Sequence, residues 1–457
     1  MSEQQDLSLR FAENMVKLGK SRLAPADLEQ VRRLLLDLLG VSLCGSQLPW
    51  TLALRDWATP FRGSGVAPVV GAGFTVAPSV AALVNSTAAH GYELDDTHDA
   101  SMSHPGAVVI PTALAVAAGT RVDATALCAA IAAGYETMAR IGMAANAARV
   151  VAAGFHPTSL FGAFGAATAA ALLQGLDAPA LARAWGHALS LTGGSMQFSD
   201  EPTGTMVKRL HAGYAAQNGI LAAGMAKRGV SAPSRALDGK YGLLALYARE
   251  PRPLLLDFDP RAPLQIHQIS MKPYSCCRLF HSLIDALDEV TEGFRAPAAG
   301  IRRILVRGPG VIFDQHMLRR PTSVMAAQYS LPYVVGATLA FGPHRFDVYR
   351  DEHLGNEEIL ALADKVEGRQ DREIEAEYPE HMGAAVELTM ADGSVRSAKV
   401  MDSRGTSAHP LSTDAIRAKA TSLARDAAPR FDMAAACSTI WQAPAADCQA
   451  LVQLFAG

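Results

Sequence analysis

Residues 85–112 read NSTAAHGYELDDTHDASMSHPGAVVIPT, and this stretch separates two alanine-rich apolar segments. It concentrates ionisable side chains between segments that must be buried: His90, Glu93, Asp95, Asp96, His98, Asp99 and His104. Burying charges is costly unless they are paired or used in chemistry, so the cluster is a candidate functional site. The alternative is a surface turn, in which these acids and histidines contact only water.

The composition predicts a mainly helical protein with more than one domain. A chain of 457 residues is too long for one hydrophobic core, so we expect two or three domains. Hydrophobic residues make up 49% and charged residues 19%, and abundant alanine and glycine allow close helix–helix approach. The net charge of −3 gives no reason to expect nucleic acid or an anionic membrane as a partner.

Cysteine usage and the N-terminus predict a soluble cytoplasmic protein. The six cysteines form no C-x-x-C pair, which argues against zinc ribbons and cysteine-ligated iron–sulfur clusters. This usage fits a reducing compartment, and the polar N-terminus lacks a signal-peptide core. Residues 158–176 are uncharged but rich in Ala, Gly, Ser and Thr, so we predict a buried helix rather than a membrane span.

Hydrophobic periodicity predicts helices through most of the first 250 residues. Pro78 is predicted to open an alanine-rich helix, and residues 66–77 before it are predicted to form a small hairpin or extended loop. A second apolar helix is predicted from Ile110 to Gly119, with Pro111 in its first turn.

After Pro253 the pattern changes and predicts an α+β domain. Residues 301–307 alternate as a strand does, and residues 384–401 predict a hairpin around the turn at 391–393. Helices are predicted around 281–293, 323–341 and 356–367. The tail from about Thr413 is predicted to be helical again.

Lys208 and Arg209 follow a Gly/Thr turn and precede an Ala/Gly helix. Cations are unfavourable at a helix start, because the positive end of the helix dipole lies there. The pair suits this position if an anion binds beside it, since the N–H groups of the turn also favour anions. A solvated surface pair is the alternative interpretation.

Five short motifs in this order resemble those of the MmgE/PrpD family, whose members include 2-methylcitrate dehydratase, cis-aconitate decarboxylase and iminodisuccinate epimerase. The motifs are AHGYELDDT at 89–97 with His104 and Pro105, GFHPT at 154–158, GTMVK at 204–208 with HAG at 211–213, KPYSC at 272–276 with His281, and SLPY at 330–333. Relatives commonly carry Asp where this chain has Glu93, and the spacer at 99–103 also differs. These departures leave the substrate open.

The resemblance implies a mainly α protein with a smaller α+β domain. The all-helical domain would comprise residues 1–265 and 405–457, and residues 266–404 would form an α+β lid domain. The resemblance also implies a homodimer, an active site between the domains, and no organic cofactor or metal. Position by position, it places the site at Asp95, Asp96, Thr97, His104, His156, Lys208, Lys272 and Tyr333.

The substrates implied by the resemblance are small di- or tricarboxylates, which need cations for binding. Four cations are available as a carboxylate clamp: Lys208, Arg209, Lys272 and Arg278. His281 is a further candidate for substrate binding.

Histidine can act as base and acid near neutral pH, so we predict His104 and His156 as the acid/base pair. Asp95 or Asp96 would fix a histidine tautomer or take a proton. Hydrogen bonds to substrate oxygens would come from two hydroxyl groups, those of Thr97 and Tyr333.

The resemblance, together with these residue types, implies a cofactor-independent lyase of the 2-methylcitrate dehydratase type. An epimerase or a decarboxylase needs the same base, acid and clamp, so both remain alternatives. A metal-dependent hydrolase is less favoured, because no H-E-x-x-H frame is present. Its ligands would come from His90, Asp95, Asp96, His98, Asp99 and His104.

Overall fold

A computed structural model describes residues 6–201, 205–259, 261–292, 297–443 and 447–456. The chain divides into two compact units. Unit 1 comprises Met1–Gln197, Val207–Ser270 and Ser412–Gly457, and unit 2 comprises Phe198–Met206 and Met271–Leu411.

Most regular structure in the described ranges is helical. The helices before residue 250 are α1 (Leu7–Lys20), α2 (Pro25–Gly45), α3 (Pro49–Ala58), α4 (Pro78–Ala89), α5 (Pro105–Ala117), α6 (Ala124–Ala144), α7 (Ala147–Ala152), α8 (Pro157–Leu173), α9 (Ala178–Leu191), α10 (Val207–Lys227) and α11 (Leu243–Tyr247). The later helices are α12 (His281–Thr291), α13 (Gly310–Gln315), α14 (Val324–Gln328), α15 (Leu331–Phe341), α16 (Glu357–Ala363), α17 (Arg372–Ala376), α18 (Thr413–Ala427), α19 (Met433–Gln442) and α20 (Cys448–Leu454). The strands are β1 (Ala67–Pro68), β2 (Thr75–Val76), β3 (Thr97–His98), β4 (Ile269–Ser270), β5 (Ile301–Gly308), β6 (Val366–Gln370), β7 (Ala384–Met390) and β8 (Val395–Val400). The predicted fold class, mainly α with a smaller α+β part, is confirmed.

Helix α8 is the centre of unit 1 and packs against α5, α6, α9 and α10. It carries no charge, and all its residues except Leu172 are buried. Glycines permit the close packing: a Cβ on Gly134 of α6 would lie 2.5 Å from Val109 of α5. The predicted buried helix is therefore confirmed. No described helix combines the length and apolar composition that a bilayer-spanning segment requires.

The predicted start of the second apolar helix is wrong. Helix α5 begins at Pro105, so Pro111 lies inside it and not in its first turn. Proline at a first helical position leaves no donor unsatisfied, and Pro105 takes that role. The small hairpin predicted at 66–77 is confirmed, because β1 and β2 pair antiparallel.

Unit 2 contains a four-stranded mixed sheet in the order β6-β5-β7-β8. Strands β7 and β8 form the predicted hairpin, and β5 pairs with β7 antiparallel and with β6 parallel. Two helix predictions need correction. The segment at 323–341 breaks into α14 and α15, because Ser330 caps α15 by accepting a hydrogen bond from the Tyr333 N–H. The helix predicted at 356–367 ends at Ala363, because Val366 begins β6.

Candidate active site

The acidic turn links α4 to α5 in unit 1, and five of its seven ionisable residues are buried rather than solvated. His90, Glu93, Asp95, Asp96 and His98 are all nearly inaccessible to solvent. Glu93 has a φ of 56°, a left-handed backbone conformation that is unusual for a residue with a side chain. The interpretation as a surface turn is therefore wrong, and the burial must be compensated by specific contacts.

Asp95 joins two histidines of the turn. Its Oδ2 atom lies 2.6 Å from Nδ1 of His90 and 3.3 Å from Nδ1 of His104. The two imidazole rings pack edge to face, with centroids 5.0 Å apart. Burial lowers the pKa of His90, although the Asp95 carboxylate acts in the opposite direction. At neutral pH the ring of His90 is therefore uncharged and donates from Nδ1 to Asp95.

The tautomer of His104 is set by a backbone carbonyl. Nδ1 of His104 lies 2.9 Å from the carbonyl oxygen of Asp96. A carbonyl oxygen can only accept, so Nδ1 must carry the proton. In the neutral ring Nε2 then carries a lone pair and can act as a base. The side chain is 12% exposed, more than the other histidines of the turn, so His104 is the best placed of them to meet a small molecule.

The Asp96 carboxylate is held by two donors and is buried beneath the turn. Oδ1 accepts from the Gly106 N–H at 2.8 Å, and Oδ2 accepts from the Tyr135 hydroxyl at 2.6 Å. Burial raises the pKa of Asp96 to about 7, even though both hydrogen bonds lower it. Asp96 thus anchors the N-terminus of α5 through its side chain and orients His104 through its carbonyl.

Glu93 is the anion beside the start of α10. Its Oε1 atom accepts from Nζ of Lys208 and from Nη1 of Arg209. Lys208 is 3% exposed and Arg209 is 1% exposed, so the interpretation as a solvated surface pair is wrong. Two cations and one carboxylate leave this group with a net charge of +1 when all three are ionised. Residues 203 and 204 of the preceding turn lie outside the described residues.

His156 contacts a second histidine. It precedes α8, and its Nδ1 lies 2.9 Å from Nδ1 of His211 in α10. The His156 ring is also 6.0 Å from that of His90, centroid to centroid. Burial lowers the pKa of His156 far below its usual value and that of His211 to about 4, and nearby cationic groups add to both shifts.

Three further residues of the turn, Thr97, His98 and Asp99, form hydrogen bonds within unit 1. Thr97 donates to Asp99 at 2.8 Å, and Asp99 also accepts from Ser270 of β4. His98 contacts the Ser101 hydroxyl through Nδ1 and the Gln265 side chain through Nε2.

Only part of the predicted set of metal ligands lies close together among the described residues. Among the described residues, three ligand atoms lie within 4.8 Å of one another, one each from His90, Asp95 and His104. Asp96, His98 and Asp99 are committed to the hydrogen bonds described above.

A buried ion pair contacts the turn through a backbone carbonyl. Lys419 of α18 donates to Asp37 of α2 at 2.8 Å and to the carbonyl oxygen of Leu94 at 2.9 Å. Leu94 directly precedes Asp95. Burial raises the pKa of Asp37, although Lys419 lowers it.

The remaining predicted site residues lie in unit 2. Lys272 is buried, and His281 begins α12 with its ring 5.2 Å from that of Tyr274. Arg278 donates to the Ser403 hydroxyl at 3.2 Å. The Tyr333 hydroxyl lies 2.8 Å from the carbonyl oxygen of Val348, a contact within the core of the unit.

Sequence reasoning missed several residues that shape the site: Tyr135, His211, Asp37 and Lys419. His211 was within a quoted motif, and its position three residues after Lys208 on one helix was an available signal. Tyr135 lies in an apolar helix, and Asp37 and Lys419 are far apart in the chain. No local pattern indicates their contacts.

Two family models match the chain. The MmgE/PrpD N-terminal domain matches residues 10–254, and the MmgE/PrpD C-terminal domain matches residues 274–442. The chain is 28% identical to the cis-aconitate decarboxylase-like protein oryM of Aspergillus oryzae, over 88% of this chain and 87% of that protein. It is 27% identical to a cis-aconitate decarboxylase of Aspergillus terreus, over 81% and 80% of the two chains. It is 28% identical to the Homo sapiens cis-aconitate decarboxylase, over 78% and 75%.

Proposed function

The chain belongs to the MmgE/PrpD family, and on that premise we propose that it is a lyase acting on a small tricarboxylate without an organic cofactor. The observation that carries the proposal is the fixed tautomer of His104. With Nδ1 donating to the Asp96 carbonyl, the neutral ring carries its lone pair at Nε2. A neutral imidazole with this lone pair suits removal or transfer of a proton at the carbon next to a carboxylate.

Decarboxylation of cis-aconitate or a close analogue is the favoured reaction. Support comes from the relatives: one is named a cis-aconitate decarboxylase-like protein and two are named cis-aconitate decarboxylase, and the match covers at least 75% of each of them. The net positive group of Glu93, Lys208 and Arg209 lies in the same unit as the histidines and would attract a polyanion.

Dehydration of a 2-methylcitrate-like acid is the second candidate. The lone pair on His104 favours it, because dehydration begins with removal of an α-proton. Decarboxylation instead ends with delivery of a proton to carbon. The two reactions therefore place opposite demands on the same ring.

A substrate screen in deuterated buffer separates these reactions. Cis-aconitate, citrate, 2-methylcitrate and iminodisuccinate would be incubated with the purified protein and followed by proton NMR and by carbon dioxide release. We expect carbon dioxide in equal amount to the cis-aconitate consumed. Loss of water without carbon dioxide would favour the second candidate. Deuterium at the α-carbon with neither loss would exclude a lyase and indicate an epimerase.

Two variants connect the activity to the site. His104→Ala removes the ring proposed to exchange a proton with the substrate and should lower kcat about 10²- to 10⁴-fold with little change in KM. His187→Ala in α9 is the matched control, because His187 lies outside the site and contacts only the Val230 carbonyl among the contacts described. Equal activity of both variants would remove His104 from the mechanism.

The activity should also survive treatment with a chelator, and stoichiometric zinc or manganese in active protein would contradict a metal-free mechanism.

A homodimer remains a prediction. Light scattering coupled to size-exclusion chromatography tests it, with a mass near twice 48.2 kDa expected. A mass equal to one chain at micromolar concentration would contradict it.

A further inference from the structure

The contact between His156 and His211 joins two like nitrogens. His156 directly precedes α8 and His211 lies in the first turns of α10, and these two helices pack against each other. Both residues are buried, and their Nδ1 atoms are 2.9 Å apart. At this distance one nitrogen must donate a hydrogen to the other, because two lone pairs or two N–H groups would repel each other.

The pair is uncharged at neutral pH. Burial disfavours the imidazolium form of both rings and lowers both pKa values. The neighbouring Lys208 reinforces this, because its positive charge repels a further positive charge on either ring. Two neutral rings that share an Nδ1–Nδ1 hydrogen bond must be opposite tautomers. The ring that donates from Nδ1 has a lone pair at Nε2, and the other ring carries its proton at Nε2.

The tautomer of His104 indicates which of the two tautomer assignments of the His156–His211 pair would complement it. Its own proton is on Nδ1, so in the neutral state it offers no donor at Nε2. Both proposed lyase reactions develop negative charge on a substrate oxygen, which needs a hydrogen-bond donor. A neutral imidazole can serve as that donor through an N–H group.

We propose that His211 is a positioning residue that donates from Nδ1 to Nδ1 of His156, so that His156 presents its proton at Nε2 to a substrate oxygen. His104 and His156 then present opposite groups at Nε2, a lone pair and an N–H group, because their Nδ1 atoms face an acceptor and a donor respectively. This assignment rests on the proposed function for its consequence in catalysis. The tautomer itself is a property of the protein without substrate.

Nitrogen NMR of the substrate-free protein tests the tautomer directly. Protein labelled with ¹⁵N-histidine would be compared with the His156→Gln variant to assign the His156 signals. We expect His156 to be protonated at Nε2, and His104 at Nδ1. Protonation of His156 at Nδ1 in the wild-type protein would overturn the proposal, whatever the activity.

Three substitutions of His211 keep, remove or reverse the hydrogen bond. His211→Asn retains an amide donor, so the tautomer should persist and kcat should fall less than about tenfold. His211→Leu removes the donor, and kcat should fall about 10²- to 10³-fold with KM little changed, as for loss of one donor to a developing oxyanion. His211→Asp offers only an acceptor when ionised, so His156 should move its proton to Nδ1 and lose activity at least as severely as in the Leu variant.

The outcomes separate this inference from the proposed function. The expected tautomers in the wild type and the Asp variant, with no turnover of any tested acid, would support the role of His211 and contradict the lyase. Lyase activity that is equal in the Asn, Leu and Asp variants would overturn the inference and leave the lyase standing. Thermal unfolding of each variant shows whether a loss of activity is a loss of fold.

Discussion

For three histidines of unit 1, the partner of Nδ1 determines whether the ring can accept or donate a proton. His104 faces a backbone carbonyl through Nδ1, His90 faces a carboxylate, and His156 faces another histidine. Histidine side chains share one intrinsic pKa, so differences in protonation among these three rings arise from burial and from these contacts. The chemistry of the turn is therefore determined by backbone geometry and by helix packing as much as by residue type.

Tyr135→Phe tests the environment of Asp96. The hydroxyl stabilises the charged carboxylate, so its loss should lower the free energy of unfolding by about 1–3 kcal/mol where Asp96 is ionised. At pH 8.5 the carboxyl is ionised, and at pH 5 it is protonated in the folded protein. The destabilisation should therefore be larger at pH 8.5 than at pH 5. Urea unfolding at both pH values measures it.

Tyr247→Phe in α11 is the matched control for this substitution. Its ring packs against Phe155 at 5.1 Å, and no carboxylate contact is described for its hydroxyl. It should change stability little and equally at both pH values. A pH-independent effect of Tyr135→Phe would contradict the contribution of the hydroxyl to the pKa of Asp96.

Residue types predicted the location of the turn but not its internal pairing. Seven ionisable residues between apolar segments indicated a site, because charge in such a context needs a compensating contact. The pairing of Glu93 with Lys208 and Arg209 depends on how α4 and α10 pack, which no local pattern encodes. Lys208 and Arg209 were expected to be available as a clamp, and in the structure both contact Glu93. The catalytic and binding roles stay predictions.

At the level of elements, the start of α5 has no room for a side chain at Gly106. A Cβ there would lie 2.6 Å from the Tyr135 hydroxyl and from Oδ2 of Asp96. Gly106→Ala should therefore destabilise the protein by about 1–3 kcal/mol and displace Asp96. Gly224→Ala in α10 is the matched control, because the nearest atom to its Cβ would be Nη1 of Arg228 at 3.6 Å.

The control should have the opposite sign. Alanine is favoured over glycine in a helix by about 0.5–1 kcal/mol, so Gly224→Ala should stabilise the protein. Thermal unfolding of the two variants measures both effects. Stabilisation by Gly106→Ala would show that the contacts of Asp96 at the start of α5 are looser than described.

Helices α2 and α18 are coupled by Asp37 and Lys419. Lys419→Met would leave a buried carboxylate without its cation and should lower the free energy of unfolding by about 3–5 kcal/mol. Asp37→Asn in the same chain should restore most of this loss, since it removes the uncompensated charge. A double-mutant cycle in urea measures the coupling, and additive effects would contradict it.

Activity in that cycle reports on the turn itself. Lys419 also donates to the Leu94 carbonyl, and the double variant does not replace this bond. We therefore expect kcat to recover less completely than stability. Full recovery of both would show that the Leu94 contact does not affect the position of Asp95.

Local patterns predicted helices and strands correctly where residue preferences agree with the residues that begin or end an element. The hairpin β7–β8 and the opening of α4 at Pro78 followed from alternation and from the preference of proline for a first turn. The start of α5 was predicted wrongly because either Pro105 or Pro111 could occupy the first turn of the helix. Tertiary packing allows the second proline inside the helix, and a single sequence does not contain that information.

Over the whole molecule, buried acids and buried histidines give opposite dependences of stability on pH. The pKa of Asp96 is raised from 3.8 to about 7, so between these values the folded state holds a proton that the unfolded state has released. Stability therefore falls as pH rises through this window, by about 4 kcal/mol in total for Asp96 at about 1.4 kcal/mol per pKa unit. The pKa of His211 is lowered from 6.5 to about 4, so there the unfolded state holds the extra proton. Its contribution is lost as pH falls from about 6.5 to 4.

A substitution that removes one of these two pH-dependent contributions should make the other easier to measure. Asp96→Asn deletes the contribution that falls with pH, so between pH 4.5 and 6.5 the stability of the variant should rise more steeply than that of the wild type, by up to about 1.4 kcal/mol per pH unit. His211→Asn deletes the contribution that rises with pH, so its curve should rise less steeply than the wild type. Urea unfolding midpoints at pH 4.5, 5.5, 6.5 and 7.5 measure both, with His187→Asn in α9 as the matched control. Parallel curves for all variants would mean that neither Asp96 nor His211 changes its proton affinity on folding, and the burial described for both would then be wrong.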